Sequence, residues 1–86
     1  MDKKISVTLN GKKIDFNVTL AAHDKYMNEM TKGSLTTAAN NFLTRCVVPE
    51  SKEALSPFLT MPQIPLKVVA KLLEDYVPEV NVELKK

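Results

Sequence analysis

One histidine, one cysteine and a scatter of carboxylates are the residues of this 86-residue chain that could do covalent or acid–base chemistry. A nucleophilic mechanism would need Cys46 or a serine activated by His23, because activation requires a base within hydrogen-bond reach. His23 stands between Ala22 and Asp24 on a short polar stretch and reads as an exposed surface histidine. Cys46 falls in an apolar stripe, where a thiol behaves as a small hydrophobe rather than as a nucleophile. Asp24 with Glu29, and Glu74 with Asp75, read as a solvated helix surface rather than as a general acid–base pair. One Cys and one His cannot close a structural zinc site, and no acidic loop has EF-hand spacing. The two glycines, Gly11 and Gly33, read as a turn and a helix end, which leaves none to cradle a phosphate. The expectation is a non-enzymatic chain with no catalytic residue, no metal ligand and no cofactor.

Charge narrows the partners. Twelve Lys and Arg against ten Asp and Glu leave a formal charge of +2, and the only arginine is Arg45. Arginine forks read guanine and phosphate in two-pronged fashion, so their near absence argues against nucleic acid. The alternative reading is a small regulatory protein that touches nucleic acid through Lys3, Lys4, Lys12 and Lys13 on a β-ribbon. The pleat divides these lysines, with only Lys4 and Lys13 joining Asp15 on the polar face. Lysines on strands also guard against edge-to-edge pairing. A lone cysteine rules out an intrachain disulfide and fits a reducing cytoplasm. The alternation after Met1-Asp2-Lys3-Lys4 is unlike a signal peptide, and no segment approaches the roughly 20 apolar residues of a membrane span.

The elements that must position these residues follow from periodicity. Ile5, Val7 and Leu9 alternate with polar residues, and so do Ile14, Phe16 and Val18 after Asn10-Gly11. Asn-Gly supplies the two positive-φ residues of a type I′ turn, so the spacing predicts a hairpin. A two-residue loop pairs Leu9 with Lys12, Val7 with Ile14 and Ile5 with Phe16, which gathers the apolar side chains on one face. A first helix runs over 20–31, with Thr19 as N-cap and Gly33 as a left-handed residue after it. A second starts at Ser34 or Thr36 and carries the stripe Leu35, Ala38, Ala39, Phe42, Leu43 and Cys46. A third covers 49–59, capped by Ser51 and halted by Pro57. A fourth begins at Pro65, turns Leu66, Val69, Ala70, Leu73 and Val77 inward, widens at Leu72 and Tyr76, and ends at Pro78. Val80, Val82 and Leu84 then alternate with Asn81, Glu83 and Lys85 as a third strand over 79–85. The sum is one α+β domain over 1–86: an N-terminal hairpin, about four helices and a C-terminal strand. Its small three-stranded sheet is covered on one face by the helices.

A chain this short buries only about 60–65% of the surface its unfolded form exposes. Two apolar regions therefore stand out as candidate partner surfaces: the Met-rich face of Tyr26, Met27 and Met30, and the proline-broken run of Phe58, Leu59, Met61 and Ile64. Methionine adapts to irregular apolar partners, including a helix or a second copy of the chain.

Three short motifs, in order and spacing, resemble a known family. They are Lys25-Tyr26-Met27-Asn28-Glu29-Met30, Asn41-Phe42-Leu43-Thr44-Arg45 and Leu73-Glu74-Asp75-Tyr76-Val77-Pro78, the last followed by the alternating segment and Lys85-Lys86. Together they are similar to the tail assembly chaperones of tailed bacteriophages and prophages, across nearly the whole chain. Where that family carries a proline early in the second helix, this sequence has Ala38. The resemblance implies a non-enzymatic protein that binds the long, apolar tape-measure protein and keeps it soluble. It also implies help in recruiting tail-tube subunits, and absence from the finished particle.

Overall fold

The computed structural model describes residues 2–85. Two strands, β1 (Lys3–Leu9) and β2 (Lys12–Val18), form an antiparallel hairpin with Leu9 opposite Lys12, Val7 opposite Ile14 and Ile5 opposite Phe16. Asn10 at φ 50° and Gly11 at φ 81° make the turn whose twist matches that of the strands. The register is therefore the expected one. It places Ile5, Ile14, Phe16 and Val18 against the helices, with Phe16, Ile14 and Val18 wholly buried.

Helix α1 (Leu20–Met30) starts at Thr19, whose Oγ1 accepts a hydrogen bond from the Ala22 N–H at 3.1 Å. Its last turn closes through the Thr31 N–H, which donates to the Asn28 carbonyl at 3.3 Å, and the Lys32 N–H, which donates to the Glu29 carbonyl at 3.2 Å. Gly33 does not adopt the expected left-handed conformation, because Thr31 has already ended the helix in the right-handed region. Helix α2 (Leu35–Cys46) is capped by Ser34 Oγ, which accepts from the Thr37 N–H at 3.3 Å. Ala38, Ala39, Phe42, Leu43 and Cys46 are all buried, so the expected stripe is the inner face. Full burial of side chains such as Phe42 and Leu43 contributes roughly 1.5–3 kcal/mol each.

The single helix expected over 49–59 is instead broken. A 3-10 turn at Pro49–Ser51 leads into the one-turn helix α3 (Lys52–Leu55), and a second 3-10 turn covers Ser56–Thr60. Pro57 lacks the N–H that a continuing α-helix would use. Helix α4 (Ile64–Tyr76) follows, with Pro65 in its first turn. It buries Pro65, Val68, Val69, Leu72 and Tyr76, leaves Leu66 and Leu73 half-buried, and exposes Ala70 and Val77. The inner stripe is thus rotated from the expected one. A helix this rich in Val and Leu offers several apolar faces, and the facing surface of α2 selects among them.

The expected third strand is not formed, and the described sheet has two strands. Residues 78–85 carry no regular secondary structure, and Val80, Val82 and Leu84 are 70%, 86% and 85% exposed. Alternation sets which side chains could share a face, but pairing needs a chain path that brings the segment alongside β1 or β2. The outer edge of β2 is already covered. Phe16 bridges to Val47, the Val48 N–H donates to the Asp15 carbonyl at 3.0 Å, and the Asp15 N–H donates to Ser51 Oγ at 3.0 Å. Ser51, expected as a helix cap, makes no capping hydrogen bond and serves this sheet edge instead.

Candidate functional site

The structure divides the expected partner residues between core and surface. Tyr26 is buried, its ring centroid 5.2 Å from that of Phe42, and burial raises its phenol above the ordinary pKa. Phe58 is also buried. Both fill the core. Met27 and Met61 are each 38% exposed, while Met30, Leu59 and Ile64 are half-buried against the core. Met27 and Met30 ride on α1, which packs against α2, whereas the turn holding Phe58 and Leu59 packs against α3 and α4. The two expected regions therefore sit on different elements.

Leu59 enters a shallow cleft of about 430 Å³ with Val47 and Leu55 beside it and Thr44, Lys52, Glu53 and Ser56 around it. Ile64 turns to another side of the molecule. It lines a groove of about 200 Å³ with Val7, Leu9, Val68 and the side chains of Lys67 and Lys71. Neither Val7, Leu9 nor Val68 stands out as a surface residue in the sequence. Their place on a first strand and on the rotated face of α4 is what brings them together.

The groups with chemical potential are otherwise occupied. The Cys46 thiol is buried, and burial pushes its pKa up against the smaller opposing pulls of a Thr19 backbone hydrogen bond and of Arg45. A thiol so placed is a poor nucleophile. His23 is not the exposed residue expected. Its side chain is 21% exposed, and its ring lies 5.8 Å from that of Tyr76. Arg45 forks onto Glu29, with Nη1 to Oε1 at 3.0 Å and Nη2 to Oε2 at 3.2 Å, tying α2 to α1. That hydrogen-bonded fork holds the Glu29 carboxyl below its ordinary pKa. Lys3 reaches the Asp75 carbonyl at 2.9 Å and its carboxylate at 3.3 Å, and Lys13 lies 3.9 Å from Asp15. Two of the four hairpin lysines thus face carboxylates of their own chain. Among the described residues no group of three or more His, Cys, Asp or Glu side chains is placed to hold a metal ion. No helix among them is long and apolar enough to cross a membrane.

Comparison with known proteins places this arrangement. The chain is 33% identical over 84 residues to an uncharacterised 11.3 kDa protein from the region 3′ of the lys gene of Haemophilus phage HP1 (strain HP1c1), covering 95% of this chain and 82% of that protein. No solved structure matches. The sequence profile of the phage tail assembly chaperones matches residues 5–86, from the first core residue of β1 through the segment after α4. The chain belongs to the phage tail assembly chaperone family.

Proposed function

We propose that this chain binds the tape-measure protein of its phage during tail assembly, shielding apolar stripes of that protein and aiding recruitment of tail-tube subunits. The role is non-enzymatic, needs no cofactor, and is carried out in the host cytoplasm. The binding surface is the exposed part of the apolar set: Met27 and Met30 on α1, and Leu59 and Met61 at the second region. Tyr26 and Phe58 support these from the core. Ile64 belongs to the same apolar set but borders the groove beside β1.

The observation that carries this reading is the cleft around Leu59, where the half-buried Leu59 side chain meets solvent above the core residues Val47 and Leu55. Side chains from a helical partner could remove the exposed parts of Leu59, Met27 and Met61 from water, at about 25 cal/mol per Å² of apolar surface. Met61, and Met27 and Met30 on α1, would accommodate imperfect repeats in the partner. Co-expression with the tape-measure protein of the same phage tests the proposal. The chaperone should raise the soluble fraction of that protein severalfold. Met27→Glu and Met61→Glu together should remove most of the gain while leaving the chaperone folded. A soluble fraction that is the same with and without this chain would refute the proposal.

A further inference from the structure

The two edges of the hairpin differ. Residues 47–51 take up the outward backbone groups of Asp15 on β2. In an antiparallel ladder, residues alternate between turning their backbone groups toward the partner strand and turning them outward. Asp15 is opposite Ser6, so Ser6 also turns outward, and with it Lys4 and Thr8. All three are exposed. Beside them runs a groove of about 550 Å³ between the β1 edge, Lys4 to Thr8, and Lys71 and Asp75 of α4. It continues into the apolar groove of Val7, Leu9, Ile64 and Val68. The molecule therefore carries an open strand edge with an apolar wall.

It also carries an unpaired segment of strand character. Residues 79–85 equal β1 in length, and the exposed Val80, Val82 and Leu84 all belong to one face of an extended chain. Laid along β1, that face meets Val7, Leu9, Ile64 and Val68. Glu79, Asn81, Glu83 and Lys85 then share the other face with Lys4, Ser6 and Thr8 of β1, where two carboxylates can face Lys4.

The segment is not paired with its own β1. Lys3 at the start of β1 is bonded to Asp75 near the end of α4, so the chain leaves α4 at that end of the hairpin. Val77 is extended, at φ −77° and ψ 119°, and Pro78 follows it. Residues before proline favour extended conformations, and no glycine after Val77 eases a reversal. The Cα radius of gyration is 13.8 Å, against about 12 Å for a compact domain of this length, and the longest extent is 51 Å. We infer that residues 79–85 of one copy add as a strand to the free β1 edge of a second copy, and that the exchange is reciprocal in a homodimer. This inference does not depend on the identity of any chaperone client.

Sedimentation of the full chain over a range of concentrations tests it. A species of twice the 9.6 kDa protomer mass should form. Val82→Asp, which places a charge in the apolar groove, should weaken the dimer about 100-fold. Thr8→Pro, which removes an outward N–H that β2 does not use, should do the same. An equimolar mixture of the two variants should recover dimer through the one intact joint, because each supplies what the other lacks. Three results would overturn the inference: a monomer at every concentration, a dimer indifferent to Val82→Asp, or cross-strand amide contacts between 79–85 and β1 within a monomer. Val82 is exposed, so its replacement leaves the fold intact even if Thr8→Pro proves destabilising.

Discussion

At Glu29, one carboxylate fastens α1 to α2 by accepting two hydrogen bonds from the Arg45 fork, with Asn41 Nδ2 adding a third contact at 3.4 Å. The fork stabilises the charged carboxylate, so its folded pKa lies below the ordinary value of 4.5. A group shifted down in the folded state contributes stability above its unfolded pKa and loses it as pH falls through the folded one. Glu29→Gln should therefore lower the thermal midpoint at neutral pH. The gap to the wild type should close on acidification below the ordinary glutamate range, and melting curves at several pH values would check this. Arg45→Lys should reproduce part of the loss, since an ammonium cannot make the two-pronged contact. None of this pairing was readable in advance. Glu29 and Arg45 each look like surface charge, and only the packing of α1 on α2 brings them together. Cys46, by contrast, was legible as core from its stripe alone, because a helix of fixed period must carry it to the same side as Phe42 and Leu43.

Among the elements, the hairpin was the most legible, because a local turn and a two-residue alternation specify the same register. Gly11, at φ 81° with open space around it, serves the turn through its backbone alone. Gly11→Ala should cost about 1–2 kcal/mol, the penalty of a Cβ in the left-handed region. Gln63 presents the reverse case. It stands at φ 66° and ψ −9° after Pro62, and the Ile64 N–H donates to the Met61 carbonyl at 3.3 Å. That is the geometry of a type II turn, whose third residue is best filled by glycine. Gln63→Gly should stabilise the fold by up to about 1 kcal/mol, and paired urea titrations of the two variants should move the midpoint in opposite directions. The phase of α4 was less legible for a physical reason. With Leu66, Val68, Val69, Leu72 and Leu73 on one short helix, several faces are apolar, and contact with α2 decides which is buried.

The whole molecule was least legible where pairing is not local. Alternation in 79–85 predicted a third strand, but the segment is unpaired, because alternation fixes which side chains share a face and not the path of the chain. Nor could it say that residues 47–51 would occupy one edge of the hairpin. The expected partner surface divided for the same reason: Tyr26 and Phe58 have the composition of contact residues, and only the three-dimensional packing shows that they are buried. The difference between the two sheet edges has a consequence in solvent exchange. Within one hairpin, the Asp15 amide is held by Ser51 and should exchange with deuterium slowly, whereas the amides of Lys4, Ser6 and Thr8, on the opposite edge, should exchange rapidly in dilute protein. Measured residue by residue, the hairpin should thus show a protected outward amide at Asp15 and an unprotected one at Ser6 opposite it. Slow exchange at Ser6 in the dilute monomer would contradict the open edge, and slowing there with rising concentration would report the moment a second strand arrives.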